Sequence, residues 1–294
     1  MQLLNIIIFI IYGSLISCLI GAYFIVVQQY KKTAYYKITG NSYLSMKFDK
    51  GKYGEYLTYR ALRVYEADGA KFLFNCYLPR DNGETTEIDI LMIHKSGIYV
   101  FESKNYSGWI FGNEKGKTWT QTLPQGRKSH KEHFLNPIIQ NKLHIKWLKN
   151  FIADDTIPLH SIIVFSERCS LKSIAVFSSD VAVIKRGDIV NTVSKVAAGA
   201  VYMLDNNKVL RLYTKLYPCT QVSGAFKQKH IDDINTRIQL KEQKTAEKVE
   251  QLNCPRCGAP LVLRVAKKGQ NAGRRFYGCS TYPKCRYIHE HGGS

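Results

Sequence analysis

Residues 87–104 read EIDILMIHKSGIYVFESK, two apolar runs joined by a short Lys-Ser-Gly break. Runs of this length on either side of turn chemistry predict a β-hairpin rather than a helix. With Ser96-Gly97 as a two-residue loop, Lys95 faces Ile98 and Asp89 faces Lys104. The period of two along a strand sets Glu102 on the face of Lys104, and Asp89 on that face of the neighbouring strand. Three charged groups then converge at one end of an apolar hairpin, whereas a three-residue loop would shift the register by one and undo the convergence. Such a set suits metal-dependent phosphodiester hydrolysis. Two carboxylates hold a hard cation such as Mg2+, which polarises a phosphate and lowers the pKa of a bound water, while Lys104 orients that water or neutralises developing charge. The competing reading is a solvated strand end with charges paired across strands.

Around the hairpin, residues 48–216 mix helix and strand. GKYGEYLTYRALRVY (51–65) predicts a helix with Leu57, Ala61 and Val64 as its apolar stripe. Phe72 to Leu78 predicts a strand, and Pro79 to Gly83 a turn. SGWIFGNEKGKTWTQ (107–121) reads as short strands with Gly turns, and GRKSHKEH (126–133) as a basic loop. Asn136-Pro137 places an N-cap and an N1 proline before IIQNKLHIKWLKNFI. Gln140 falls there within the arc of Leu143, Trp147 and Phe151, so it is expected to be a buried amide in need of a partner. His130, His133 and His144 lack zinc spacing and are taken as surface or packing residues. SIIVFSERC (161–169) and Val181 to Lys185 predict buried strands, and Asp188 to Met203 a closing helix.

The ordered set Gly54-Glu55, Glu87-Ile88-Asp89, GIYVFESKN (97–105), Trp119 and NPIIQN (136–141) resembles the NERD (nuclease-related) domain, a relative of the PD-(D/E)xK superfamily. The resemblance covers roughly 48–160 and extends to about 217. It implies an α/β fold, a restriction-endonuclease-like mixed sheet flanked by helices. It also implies that Asp89 and Glu102 bind Mg2+ or Mn2+, that Lys104 is the catalytic lysine, and that Glu55 and Gln140 are accessory. From the residues alone, Glu55 equally suits the dipole of the first helical turn, and Gln140 a hydrogen bond within the core.

The eight cysteines divide into four scattered (18, 76, 169, 219) and four clustered (254, 257, 279, 285). This is no disulfide framework, so a reducing compartment is expected. C-x2-C, a 21-residue gap and C-x5-C predict a closed, structural Zn2+ site. Residues 254–290 hold eight Lys or Arg and one acid. Phe276, Tyr277, Tyr282 and Tyr287 are interleaved there with Arg274, Arg275, Lys284 and Arg286. Aromatic faces stack on bases and cations meet phosphates, which suits single-stranded DNA, although one or two of the aromatics are needed as a core. The segment from Cys254 to about Tyr287 resembles the C4 modules of type IA topoisomerases, which implies nucleic-acid binding, and nothing in the chain supplies topoisomerase chemistry.

Leu3 to Val27 is a 25-residue run without charge, long enough to span a bilayer. Lys31, Lys32 and Lys37 follow it and no cation precedes it, so the rest is expected in the cytoplasm of a bacterium, with the N-terminus outside. The chain of 294 residues carries a formal charge of +19, which points to a polyanion or an anionic lipid surface. The expected organisation is a transmembrane helix (3–27), a nuclease-like domain (48–217), a solvated linker helix (226–252) and a zinc ribbon (253–290). The expected activity is a membrane-anchored, metal-dependent nuclease. The alternative is a non-catalytic tether that holds nucleic acid at the membrane.

Overall fold

The computed structural model describes residues 2–81, 83–126, 128–250, 253–266 and 275–290. Helix α1 (Gln2–Lys31) is, over Tyr12–Lys31, long and apolar enough to cross a membrane, and its most apolar 18-residue stretch is unburied. Length and composition fit a membrane span or a signal sequence equally. Its last turn is different in kind: Tyr30 is 2% exposed, and its hydroxyl donates to Asn41 O. Two short helices, α2 (Ala34–Thr39) and α3 (Tyr43–Phe48), lead into α4 (Lys50–Leu62), which Asp49 caps by accepting from Gly51 N and Lys52 N.

The core sheet is assembled from β1 (Lys71–Pro79), β2 (Thr85–His94), β3 (Gly97–Lys104), β7 (Leu159–Phe165) and β9 (Val181–Lys185), in that spatial order. The first three strands form an antiparallel meander, and β3, β7 and β9 run parallel. Parallel neighbours need a long crossover. Between β3 and β7 this crossover contains β4 (Gly108–Asn113), β5 (Thr118–Gln125), β6 (Lys128–Leu135) and α5 (Pro137–Ile152). With β8 (Cys169–Ala175), those strands make a second sheet in the order β6-β5-β4-β8. The segment read as a basic loop is therefore largely β6, an exposed edge strand paired along β5. Its polar sequence hid it, because an edge strand needs no apolar face.

Strand β3 is buried from Gly97 to Glu102, as a strand covered on both faces must be. Alternation assigns the covers: Ser103 meets Thr58 of α4 at 3.1 Å, whereas Glu102 and Lys104 meet His144 and Gln140 of α5. The buried residues of α4 are Gly54, Thr58, Tyr59 and Leu62, and Val64 is 58% exposed, so the expected stripe of Leu57, Ala61 and Val64 is not the packing face. Close approach decides this, since a Cβ on Gly54 would lie 2.6 Å from Asn105 Cβ. The closing helix is shorter than expected, α6 (Ile189–Ala198), and α7 (Asn206–Leu216) follows it.

The hairpin turn is Lys95-Ser96, with His94 opposite Gly97 and Ile93 opposite Ile98. This is two residues out of the expected register, so Asp89 falls opposite Glu102 and not Lys104. A shift of two preserves every face, and the expected convergence survives. Gly97 sets the turn: its φ is +128°, and a Cβ there would meet Pro158 O at 2.5 Å.

Helix α8 (Gly224–Glu250) is not solvated throughout. His230 is 6% exposed and shares a 2.7 Å hydrogen bond with Thr85 Oγ1, and Arg237 pairs with Glu84 at 3.0 Å. Residues 251 and 252 of the expected linker lie outside the described residues. The last sheet is β10 (Leu261–Val265), β11 (Arg275–Cys279) and β12 (Ile288–Glu290).

Asn136 ties the crossover together. Its Oδ1 accepts from Ile138 N as the cap of α5, and its Nδ2 donates to the carbonyls of Asn113, Glu114 and Gly116. Asn136→Ala removes the cap and strands buried carbonyls, and is expected to cost about 2 kcal/mol or more. Chemical denaturation followed by circular dichroism measures this, and an unchanged midpoint refutes it.

Candidate active site and nucleic-acid interface

Glu102 is 1% exposed near the end of β3, and its surroundings define the site. Lys104 Nζ lies 2.6 Å from Glu102 Oε1 and donates to Gln140 Oε1 at 3.2 Å. Asp89, across the hairpin, accepts from Ser103 N at 2.9 Å. On the other side of Glu102, His144 Nε2 stands 3.2 Å from Oε2 without the geometry of a hydrogen bond, so both atoms are buried without a hydrogen-bond partner. His144 Nδ1 shares a 2.7 Å hydrogen bond with Thr86. His144 therefore belongs to this cluster and is no mere packing residue. The i, i+4 spacing from Gln140 on α5 was the signal that places both on one side. His130 and His133 are exposed.

Gln140 is half-buried with Lys104 as its partner, and the fully buried amide is its neighbour Asn141, which donates to Val100 O and Ser161 Oγ. Helix α5 is thus rotated from the expected arc, and Leu143 is 37% exposed. Glu55 Oε2 accepts from Tyr35 Oη at 3.3 Å. Tyr35, fully buried on α2, packs edge-on to Phe74 with ring centroids 4.9 Å apart. The segment just after the apolar helix thereby reaches the site, which no motif announced. Glu87 lies beside it, accepting from Tyr77 Oη at 2.7 Å and Asn75 Nδ2 at 3.1 Å.

The charges do not balance. Burial, with Glu102 and Glu55 nearby, pushes the Asp89 carboxyl well above the usual carboxylate range. Burial also acts to raise Glu102, but Lys104 and His144 outweigh it and the net shift is downward. Burial works against the Lys104 ammonium, yet Glu102 and Asp89 overcome it and hold the lysine above its ordinary value, so it is charged. Glu55 is raised to about 7 by burial and by Glu87. Glu102 and Asp89 share one lysine, and Glu55 adds a further carboxyl acting on Asp89. The orphaned Glu102 Oε2, the hard oxygen donors and this deficit of positive charge all fit a divalent cation.

In the ribbon, Cys254, Cys257, Cys279 and Cys285 bring their sulfurs within 4.8 Å of one another. Cys257 and Cys279 are 3.3 Å apart and Cys254 and Cys285 3.7 Å. Zn–S bonds of about 2.3 Å in a tetrahedron separate sulfurs by about 3.8 Å, so the set fits structural Zn2+. Gly258 N donates to Cys254 O at 2.8 Å and closes the knuckle. Of the aromatics expected to bind nucleic acid, Tyr277 is 5% exposed and packs with the cysteines and Leu261 as core. Phe276, Tyr282 and Tyr287 instead line a cleft of about 640 Å³ with Arg286 and Arg264, whose guanidinium sits 5.7 Å from the Tyr282 ring. Arg275 and Lys284 are exposed, and Arg274 lies outside the described residues.

Residues 50–166 match the nuclease-related domain family, and residues 251–292 match the topoisomerase DNA binding C4 zinc finger. An uncharacterized protein of Bacillus anthracis, pXO1-01, is 31% identical over 189 residues, 64% of this chain and 85% of that protein. DNA topoisomerase 1 of Methanocaldococcus jannaschii is 48% identical over 54 residues, 18% of this chain but 6% of the topoisomerase. The uncharacterized protein YrdD of Escherichia coli is 50% identical over 36 residues, 12% of this chain and 17% of YrdD. No solved structure matches the chain. The chain belongs to the nuclease-related domain family and carries a topoisomerase-type DNA-binding zinc ribbon at its C-terminal end.

The raised Glu55 has a consequence for stability. A carboxyl with an ordinary value of 4.5 that folds to about 7 contributes fully below the lower value and loses that contribution as pH rises through the upper one. Glu55→Gln is therefore expected to be more stable than wild type at pH 8, with the difference closing as pH falls toward 4.5. Thermal melts across pH, without added divalent cation, check this, and a pH-independent difference contradicts it.

Proposed function

We propose that the protein is a membrane-anchored, cytoplasm-facing, metal-dependent nuclease, with the zinc ribbon holding DNA for the site on β2 and β3. The observation that carries this reading is the uncompensated carboxylate cluster around Glu102, next to a charged lysine. Asp89 and Glu102 would hold Mg2+ or Mn2+, which when bound neutralises phosphate charge and lowers the pKa of a water. Glu102 and Asp89 hold the Lys104 ammonium above its ordinary value, and beside a bound phosphate it would stabilise the charge that develops there. Gln140 fixes its Nζ, and His144 orients Glu102. Glu55, raised to about 7, is suited to exchange a proton with water at neutral pH. The anchor is α1, and Lys31, Lys32 and Lys37 at its end favour a cytoplasmic body in a bacterial inner membrane.

Glu102→Ala is expected to lose at least ~100-fold in Mg2+-dependent cleavage of DNA by the full-length protein, with zinc content and fold unchanged. Wild-type cutting by this variant would refute the site, and binding without cutting by the wild type would leave the tether reading in its place. Cys279→Ser is expected to release zinc, weaken DNA binding and flatten its salt dependence. Filter binding across salt concentrations, beside metal analysis, is the measurement, and an unchanged slope removes the ribbon from the interface.

A further inference from the structure

The second sheet has a face that neither the candidate active site nor the ribbon uses. Direct pairing places residues on one face of a sheet, and the register sets Trp109 opposite Thr122, which is opposite Lys131. In the next row Phe111 faces Thr120, which faces His133 and shares a 3.0 Å hydrogen bond with it. Trp109 is 43% exposed and Phe111 37%, on the side of β4 opposite the fully buried Ile110. An irregularity where β8 pairs with Ile110 and Phe111 adds Lys172, whose ammonium stands 5.9 Å from the Trp109 ring. Between Trp109 and Lys131, the Thr122 hydroxyl is buried without a hydrogen-bond partner.

The chemistry of this face selects its partner. The four strands contain one acidic residue, Glu132, which points to the other face and pairs with His130 at 3.0 Å. The Trp109 face is therefore aromatic and cationic. Aromatic residues two apart on a strand are roughly 6.7 Å apart, and rings so placed take successive bases of an extended strand while flanking cations meet its phosphates. Bases locked in a duplex do not present their faces to such rings. Position agrees: β4 begins directly after the Asn105–Ser107 crossing from Lys104, a crossing held by Arg168, which donates to Asn105 O at 2.8 Å.

We propose that the outer face of the β6-β5-β4-β8 sheet is a stacking platform for single-stranded nucleic acid, with Trp109 and Phe111 as stacking residues and Lys131 and Lys172 as phosphate contacts. It goes beyond the activity proposed above, because it requires no cleavage. It also gives the nuclease-related domain a nucleic-acid surface of its own, separate from the zinc ribbon.

The chain contains three tryptophans, of which Trp119 is 1% and Trp147 6% exposed, so quenching of the exposed indole fluorescence reports on Trp109. The experiment titrates full-length protein, in detergent and without divalent cation, with oligodeoxythymidine, oligouridine, a DNA duplex and anionic phosphatidylglycerol vesicles. Quenching by either single strand is expected, and the two arms tell DNA from RNA. Trp109→Phe should abolish the signal while labelled-strand anisotropy keeps its affinity within about twofold, whereas Trp109→Ala with Phe111→Ala should weaken binding roughly tenfold or more. Lys172→Glu, which leaves the aromatic packing in place, should weaken it severalfold and so guards against a folding defect. Single-strand binding without quenching, quenching only by duplex or by vesicles, or full affinity in both the Ala pair and Lys172→Glu overturns the platform. Quenching without later Mg2+-dependent cleavage leaves the platform standing and refutes the nuclease, and cleavage without quenching does the reverse.

Discussion

A carboxylate buried to 1% exposure is costly, and Glu102 is tolerated because Lys104 and His144 stand on either side of it. Taking such an ion out of water costs several kcal/mol unless charge and hydrogen bonds are returned to it. Here the return is incomplete, since one oxygen has no hydrogen-bond partner and Asp89 adds a second acid. Much of the surrounding architecture keeps these groups in register. The parallel pairing of β3 with β7 fixes the strand, α5 brings His144 and Gln140 over one face, and α4 brings Glu55 to the rim.

The same arrangement joins parts of the chain that look independent in sequence. Tyr35 follows the apolar helix immediately, yet it packs against Phe74 and donates to Glu55. His230 begins the approach to the ribbon, yet it is buried against Thr85 at the start of β2. The domain is thereby contacted from the apolar-helix side and from the α8 side by residues outside the 50–166 segment that matches the family. The end of α1, the body of the domain and the start of α8 share one hydrophobic and hydrogen-bonded framework.

Much was legible from local pattern. The apolar hairpin, the capped start of α5, the four-cysteine spacing and the long apolar helix are each encoded within a few residues of themselves, by periodicity, capping chemistry or ligand geometry. Asp89, Glu102 and Lys104 could be singled out from the hairpin pattern, whereas Glu55 and Gln140 came only with the family resemblance; the structure sets Lys104 against Glu102 and Gln140. Where local pattern failed, a distant partner had intervened. Pro158 packs on Gly97 and moves the turn by one position along the chain, and Asn105 crowds Gly54 and rotates α4.

Sequence alone therefore determined most of the apolar elements, the four-cysteine set and the charged residues of the hairpin, because these depend on spacing along the chain. Tertiary structure decided which amide of α5 is buried, that His144 adjoins Glu102, that Tyr277 is core rather than interface, and that a basic stretch is an edge strand beside an exposed tryptophan. It also decided the electrostatics. A carboxyl's proton affinity follows from its burial and from charges within a few ångströms, and those neighbours come together only when β2, β3, α4 and α5 have packed.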